Sequence, residues 1–195
     1  MGDILDMVEE RLRSAFGEPD ARASVTFLGA ERIEVLRFTQ GELRRYATLG
    51  MSAQPMADPL APVADPLRGP RAEVHLTVRA GRADTSPVLR SLAAAAASPQ
   101  VEGLVLADGS TLDFGEPLWP GAPFTAFLAG APGALVPDLP LPAPRDPVSF
   151  FPLLPLTPAE AAYKRAKGPQ ALHALWAEHG TDLTDPVRAA VPLSA

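Results

Sequence analysis

"FFPLLPLTPAEAAYKRAKGPQALHALWAEHG", residues 150–180, runs an apolar, proline-studded segment straight into two helix starts. Thr157-Pro158-Ala159-Glu160 has the form of a capping box with proline at the first helical position. The threonine hydroxyl accepts an orphan N–H of the first turn, and the glutamate reaches back to the threonine N–H. The pattern predicts a helix to about Lys167. Gly168-Pro169 breaks it and starts a second helix, with Leu172, Leu175, Trp176 and His179 along one face and Gly180 as its stop. Asp185-Pro186 repeats the cap-plus-proline device for a last short turn. Upstream, Val148-Ser149-Phe150-Phe151 reads as a strand, so the stretch brings two capped helices onto a sheet.

The rest of the chain supplies that sheet. Ile4, Leu5, Val8, Leu12 and Phe16 recur at helical spacing before Gly17, which predicts an opening helix. Strands are expected at Val25-Thr26-Phe27-Leu28, at 33–38 with clear alternation, and at 46–52 after a turn at 40–42. A loop with prolines at 55, 59, 62, 66 and 70 follows, read as a surface loop rather than a domain boundary. In 73–79 the alternation sends Val74, Leu76 and Val78 to the core and His75, Thr77 and Arg79 to the other, polar face. Ser86-Pro87 is expected to cap a helix that ends near Ser98-Pro99. Asp108-Gly109 signals a hairpin between Leu104-Val105-Leu106 and 111–114, and 124–128 is a further strand. These elements define a single α/β (α+β) domain over 1–195. Its centre is a mixed, mostly antiparallel sheet flanked by helices, with 33–38, 44–52 and 73–79 paired in one sheet.

Composition removes whole classes of function. Across 195 residues there is no cysteine, which excludes disulfides, thiolate catalysis and cysteine-based metal sites. The acidic, amphipathic N-terminus lacks the basic start and apolar core of a signal peptide. No stretch reaches the ~18 to 20 apolar residues of a membrane span. A cytoplasmic location is therefore expected, with no membrane contact. The net charge of −6 argues against nucleic acid as the direct partner and favours a basic protein. An alanine- and proline-rich, lysine-poor composition fits a GC-rich bacterial coding sequence.

Two sets of motifs make the chain recognisable. "LPLTPAEAAYKRAKGPQALHALWAEHG" carries a Leu-Thr-x-x-Glu helix start and a Gly-x-x-x-Leu-x-x-x-Trp helix. "YATLGMS", an extended loop and then "AEVHLTVR" carry a Thr-x-Gly-(Met/Leu)-Ser strand followed by an apolar strand opened by glutamate. In order and spacing these resemble the suppressor-of-fused domain over roughly residues 24 to 190. The resemblance is to stand-alone bacterial members, not to the longer animal proteins with a second domain. It implies a mixed α/β domain that works by binding and sequestering a protein, and in bacteria it implies association with toxin-neutralising immunity proteins.

Catalytic candidates are few. His75 sits on a strand's polar face, where a solvated or hydrogen-bonded role is expected. His173 and His179 are six residues apart on a helix, about 240° around its axis, so they cannot ligate a metal as an i, i+4 pair does. Glu9-Glu10 and Asp182/Asp185 read as solvated surface or cap residues. No GxSxG, P-loop, GxGxxG or HExxH pattern occurs. Trp176 belongs to a core helix face. Trp119, in a proline-bounded loop, could anchor a partner, but packing over the sheet is the expectation, with much less effect on stability than Trp176. The reading is therefore a non-enzymatic protein-binding module, with no catalytic, cofactor-binding or metal residue assigned, no cofactor, and interface residues and oligomeric state left open. The alternative is a small cytosolic enzyme using histidine and carboxylates.

Overall fold

The computed structural model describes residues 4–57, 60 and 65–193. Among them are seven strands: β1 (Ala21–Val25), β2 (Ile33–Gln40), β3 (Leu43–Leu49), β4 (Arg71–Arg79), β5 (Thr111–Asp113), β6 (Ala126–Ala129) and β7 (Val148–Leu156). They form one mixed sheet in the order β1-β2-β3-β4-β7-β6-β5. All described pairings are antiparallel except that of β4 with β7. The mostly antiparallel single-domain architecture expected from the sequence is therefore observed, including the pairing of β2, β3 and β4. Strand β7 is longer than the sequence reading and changes partners partway. Val148 to Pro152 run parallel to β4, and Leu153 to Leu156 run antiparallel to β6. Proline, which has no N–H to donate, stands at the changeover.

Four helices flank the sheet: α1 (Ile4–Phe16), α2 (Val88–Glu102), α3 (Pro158–Lys167) and α4 (Pro169–Glu178). Helix α2 lays Val88, Leu92 and its alanines over Val35, Tyr46, Val74, Leu76 and Val78. On the opposite face α1 packs Val8, Leu12 and Phe16 against Leu36, Phe38, Ala47 and Phe150. Helices α3 and α4 cover that same face further along β7, where Ala161, Leu172 and Trp176 meet Ala126, Leu128 and Leu156. With helices on both faces, β4 is buried from Arg71 to Leu76. The period-2 pattern of β4 gave its face to α2 correctly, but the other face is not a polar one.

Several elements depart from the sequence reading, each for a local reason. The first strand is Ala21–Val25; Thr26 to Leu28 leave the sheet, and Leu28 is fully exposed. Strand β3 stops at Leu49 because Gly50 (φ 136°) turns the chain into a single 3-10 turn, Met51–Ala53. A Cβ at position 50 would lie 2.5 Å from the Arg32 carbonyl oxygen, so only glycine fits. Ser86 is not the cap of α2: Pro87 occupies that place, and the Ser86 N–H donates to Asp84 at 3.0 Å. Helix α2 also continues through buried Pro99 to Glu102, closing at left-handed Gly103. Asp108-Gly109 does turn with positive φ at the glycine, but Leu104 to Leu106 form no strand, and β5 pairs with β6 instead. Pro59 and Pro62 lie outside the described residues.

Candidate functional site

The histidines do not converge. His75 is 2% exposed on β4 beneath α1, with its ring edge-on to Phe16 at 5.7 Å and Nδ1 without a partner. Burial, reinforced by the Arg45 charge, lowers its pKa to about 4, so it is neutral at pH 7. It is therefore a core residue, not the solvated or hydrogen-bonded one expected. His173 is exposed on α4, edge-on to Trp176 at 5.3 Å. His179 is exposed as well, so it does not extend the buried face of Leu172 and Trp176. Among the described residues no group of three or more His, Asp or Glu is placed to hold a metal. The acidic pairs lie at the surface: Glu9 pairs with Arg13 and Arg22, Asp182 with Arg79, and Asp185 with Arg82.

What the recognisable motifs build instead are two buried carboxylate knots. The first gathers Thr48, Gly50, Ser52 and Glu73. Glu73, fully buried, accepts bonds at Oε1 from the Gly50 N–H (2.9 Å), the Ser52 N–H (3.0 Å) and the Ser52 hydroxyl (2.6 Å). Its Oε2 lies 2.6 Å from the Thr48 hydroxyl. That hydroxyl is inserted into the β3–β4 ladder, accepting the Val74 N–H at 3.0 Å and lying 3.3 Å from the Val74 carbonyl. Arg71 braces the same turn by donating to the Ser52 and Ala53 carbonyls at 2.8 and 2.9 Å, and makes no hydrogen bond to Glu73. Burial pushes the Glu73 carboxyl up, and the bonds from Ser52, Thr48 and Gly50 recover only part of it. The geometry accommodates the neutral acid: an Oε2 proton donates to Thr48, whose own proton turns to the Val74 carbonyl.

The second knot gathers Thr157, Glu160, Trp176 and Arg188. The expected capping box is present: Thr157 Oγ1 accepts the Glu160 N–H, and Glu160 Oε2 accepts the Thr157 N–H at 3.0 Å. Glu160 is fully buried and also accepts from Trp176 Nε1 (3.0 Å), Arg188 Nη1 (2.7 Å) and Nη2 (3.0 Å), and the Val191 N–H (3.1 Å). Burial acts to raise its pKa, but the bonds from Arg188, Thr157 and Trp176 outweigh it and hold the carboxyl below the ordinary glutamate value. One side chain thus caps α3, fixes α4 through its tryptophan and anchors the C-terminal segment. Arg188 carries no motif signal and was missed in the sequence; only its place just after Asp185-Pro186 sets it where it can return to α3.

Trp119 packs inside, as expected, and more deeply than a proline-bounded loop suggests. It is 1% exposed against 3% for Trp176, donates Nε1 to the Pro186 carbonyl at 3.2 Å and packs on Phe124. The loop around it is bounded by prolines, and its indole is turned inward.

Display is concentrated at one end of the sheet, where β2, β4 and β7 begin and β1 and β3 finish. Of seven exposed large apolar side chains among the described residues, Leu28, Leu60, Leu67, Val101 and Val105 belong to segments at this end. Those segments are tied together. The Glu31 N–H donates to Gln100 (2.7 Å), Gln54 to Glu31 (3.0 Å), and the Gly69 N–H to Asp146 (2.6 Å). Between them opens a cavity of about 370 Å³ lined by Met56, Arg71, Leu106, Ser149 and Phe151 among others. The Glu73 knot lies under this end and holds the Gly50–Ala53 turn in place.

This is a module whose buried ionisable groups fix loops, while its apolar side chains are shown at one end. The chain belongs to the suppressor of fused protein (SUFU) family, whose model matches residues 29–189. Its fold is similar to that of a SUFU homolog from Neisseria gonorrhoeae FA 1090 (19% identity, TM-score 0.74, 99% of each chain covered). It is also similar to a chain of a Sufu–Fu complex (10% identity, TM-score 0.64, 96% of this chain and 89% of that one). The chain spans half of Drosophila Suppressor of Fused (13% identity, TM-score 0.61, 96% of this chain covered). Among curated proteins, none shows significant similarity.

Proposed function

We propose that the protein acts by binding another protein, without chemistry of its own, and that the partner docks at the Arg71 end of the sheet. The observation that carries this reading is the exposure of Leu28, Leu60, Leu67, Val101 and Val105 on segments at one end of the sheet, the end that also holds the cavity lined by Met56, Arg71, Leu106 and Phe151. Apolar groups so concentrated and rimmed by charges are typical of a surface that is covered in use. A structure of a similar fold is that of a Sufu–Fu complex, in keeping with a binding role. The partner is basic, because a net charge of −6 steers a cation and speeds association at low salt. In a bacterium, such a partner is a toxin to be neutralised or a protein to be regulated. The protein works in the cytoplasm: it has no cysteine, and no described helix is long and apolar enough to cross a membrane.

The test compares proteins captured from the native host by the wild type and by a Leu28→Asp, Val101→Asp, Val105→Asp variant verified as folded by circular dichroism. A partner retained by the wild type and lost by the variant is the expected result, with binding that weakens as salt rises. A folded triple variant that keeps every partner would overturn the assignment of the surface. Turnover of a small substrate that is lost in His75→Phe or His173→Ala would overturn the non-enzymatic reading.

A further inference from the structure

Strand β1 is an open edge of the sheet, and no described strand pairs with its outer side. The opposite edge is β5, only three residues long and flanked by an Asp113–Arg165 ion pair; short, charged edges resist further pairing. β1 is longer, and its charge is neutralised within the chain. Its five residues, Ala21-Arg22-Ala23-Ser24-Val25, include no proline or lysine. Its single charge, Arg22, is held by Glu9 of α1 and Glu34 of β2 within the same chain. On the α2 face the small Ala21 and Ala23 border a hollow of about 180 Å³ lined also by Val35, Tyr46 and Leu89. Val25 and Phe27 border a second hollow of about 340 Å³ with Ala94 and Phe114.

We infer that β1 pairs antiparallel with β1 of a second copy of this chain, joining two sheets across a two-fold axis at Ala23. The sequence around β1 is self-complementary in that register. Within the strand Ala23 meets Ala23, Ala21 meets Val25 and Arg22 meets Ser24. No like-charged strand residues are directly opposed, the Arg32 guanidinium that donates to Ser24 Oγ being paired with Glu34, and the odd-numbered apolar side chains of both strands line one face. A shift that centres the axis on Arg22 sets Arg22 against itself, which is destabilising between directly opposed residues. Period-2 alternation keeps α2 of each copy on the same side of the joined sheet. Val25 of one copy then stands beside the hollow at Ala21 and Ala23 of the other. An open edge of this kind binds through main-chain hydrogen bonds, and the bordering hollows supply specificity.

Position 23 alone faces itself, which gives a direct test. Sedimentation velocity from low to high micromolar protein should give a monomer–dimer equilibrium for the wild type. Ala23→Asp and Ala23→Lys alone should each weaken dimerisation about fivefold or more, since each opposes two like charges. Mixing the two variants should restore dimers as heterodimers. Amide hydrogen exchange on the unmodified protein provides a check that needs no variant: β1 amides should gain protection as concentration rises. A wild type that stays monomeric with concentration-independent β1 exchange would overturn the inference. So would a dimer that survives Ala23→Asp, or variants that fold but do not rescue each other. Protection of β1 only on adding a captured partner protein would instead assign the edge to that partner and refute self-pairing. Failure at the Arg71 end leaves this result unaffected, because the two surfaces carry different variants.

Discussion

Glu73 and Glu160 are both fully buried, and both anchor a family motif, yet they are stabilised in opposite ways. Glu160 faces a guanidinium as well as an indole and two backbone N–H groups, so it sits below its ordinary pKa. Glu73 has only neutral donors, because Arg71 beside it is spent on backbone carbonyls, so its carboxyl is pushed up. Burial of a charge is tolerated where a counter-charge is supplied; where none is, the neutral form is favoured. One knot is an ionic clamp between helices and the C-terminal segment. The other is a clasp on a turn, its carboxyl pushed by burial towards the neutral form.

The largest expected effect lies in the ionic clamp. Glu160→Ala or Arg188→Met should each cost about 3 to 5 kcal/mol in urea denaturation, since either leaves a buried charge unpaired. A loss for Arg188→Met no greater than that of an exposed arginine would break the contrast. Trp176→Ala, which removes a donor from the same knot, and Trp119→Ala should each cost roughly 3 to 5 kcal/mol and agree within about 1 kcal/mol. Melting stabilities that differ by more would mean that the loop around Trp119 relaxes on truncation.

Those two tryptophans also mark what the sequence could reveal. Trp176 was legible because Gly168-Pro169 and the i, i+4 spacing from Leu172 fix its helix face locally. For Trp119 packing was legible but its depth was not, because that is decided by Phe124 and by the Pro186 carbonyl, 67 residues away. The same distinction runs through both knots. The capping box is a four-residue pattern, readable at sight, whereas Arg188 reaches Glu160 across 28 residues. Thr48, Gly50, Ser52 and Glu73 stood out as a resemblance with no physical reason attached; that reason is their convergence on one carboxyl. His75 was misread because alternation gives the side of a strand but not what covers it, and α1 is remote in sequence. The apolar end was invisible for a similar reason: Leu28, Leu67, Val101 and Val105 are scattered singly along the chain.

Amide substitution sharpens the comparison further. Glu73→Gln should cost under about 1 kcal/mol, because the amide oxygen keeps the Gly50 and Ser52 bonds and its NH₂ donates to Thr48 as the neutral acid does. Glu160→Gln removes the charge opposite Arg188 and should cost about 3 kcal/mol. Equal losses would mean that Glu73 is ionised after all.

The smallest effects are in pH dependence, and their signs differ. Stabilisation by Glu160 is full above the ordinary glutamate pKa of 4.5 and is lost as pH falls through its lowered folded value. Stabilisation by Glu73 is full below 4.5 and is lost as pH rises through its raised value. His75 acts in the direction of Glu160, with stability full above 6.5 and declining as pH falls toward about 4. The gap between wild type and Glu160→Gln should therefore narrow in acid, and the gap between wild type and Glu73→Gln should narrow towards neutral pH. Parallel gaps would contradict the opposite environments.

The most direct measurement is a pH titration of the two side-chain carboxyl carbons by NMR, with Glu73→Gln and Glu160→Gln used to assign the signals. The expected result is a Glu73 resonance that titrates above the ordinary glutamate range and a Glu160 resonance that remains ionised below it. A Glu73 carboxyl that is ionised throughout, or two carboxyls that titrate together, would contradict the account of one neutral clasp and one ionic clamp.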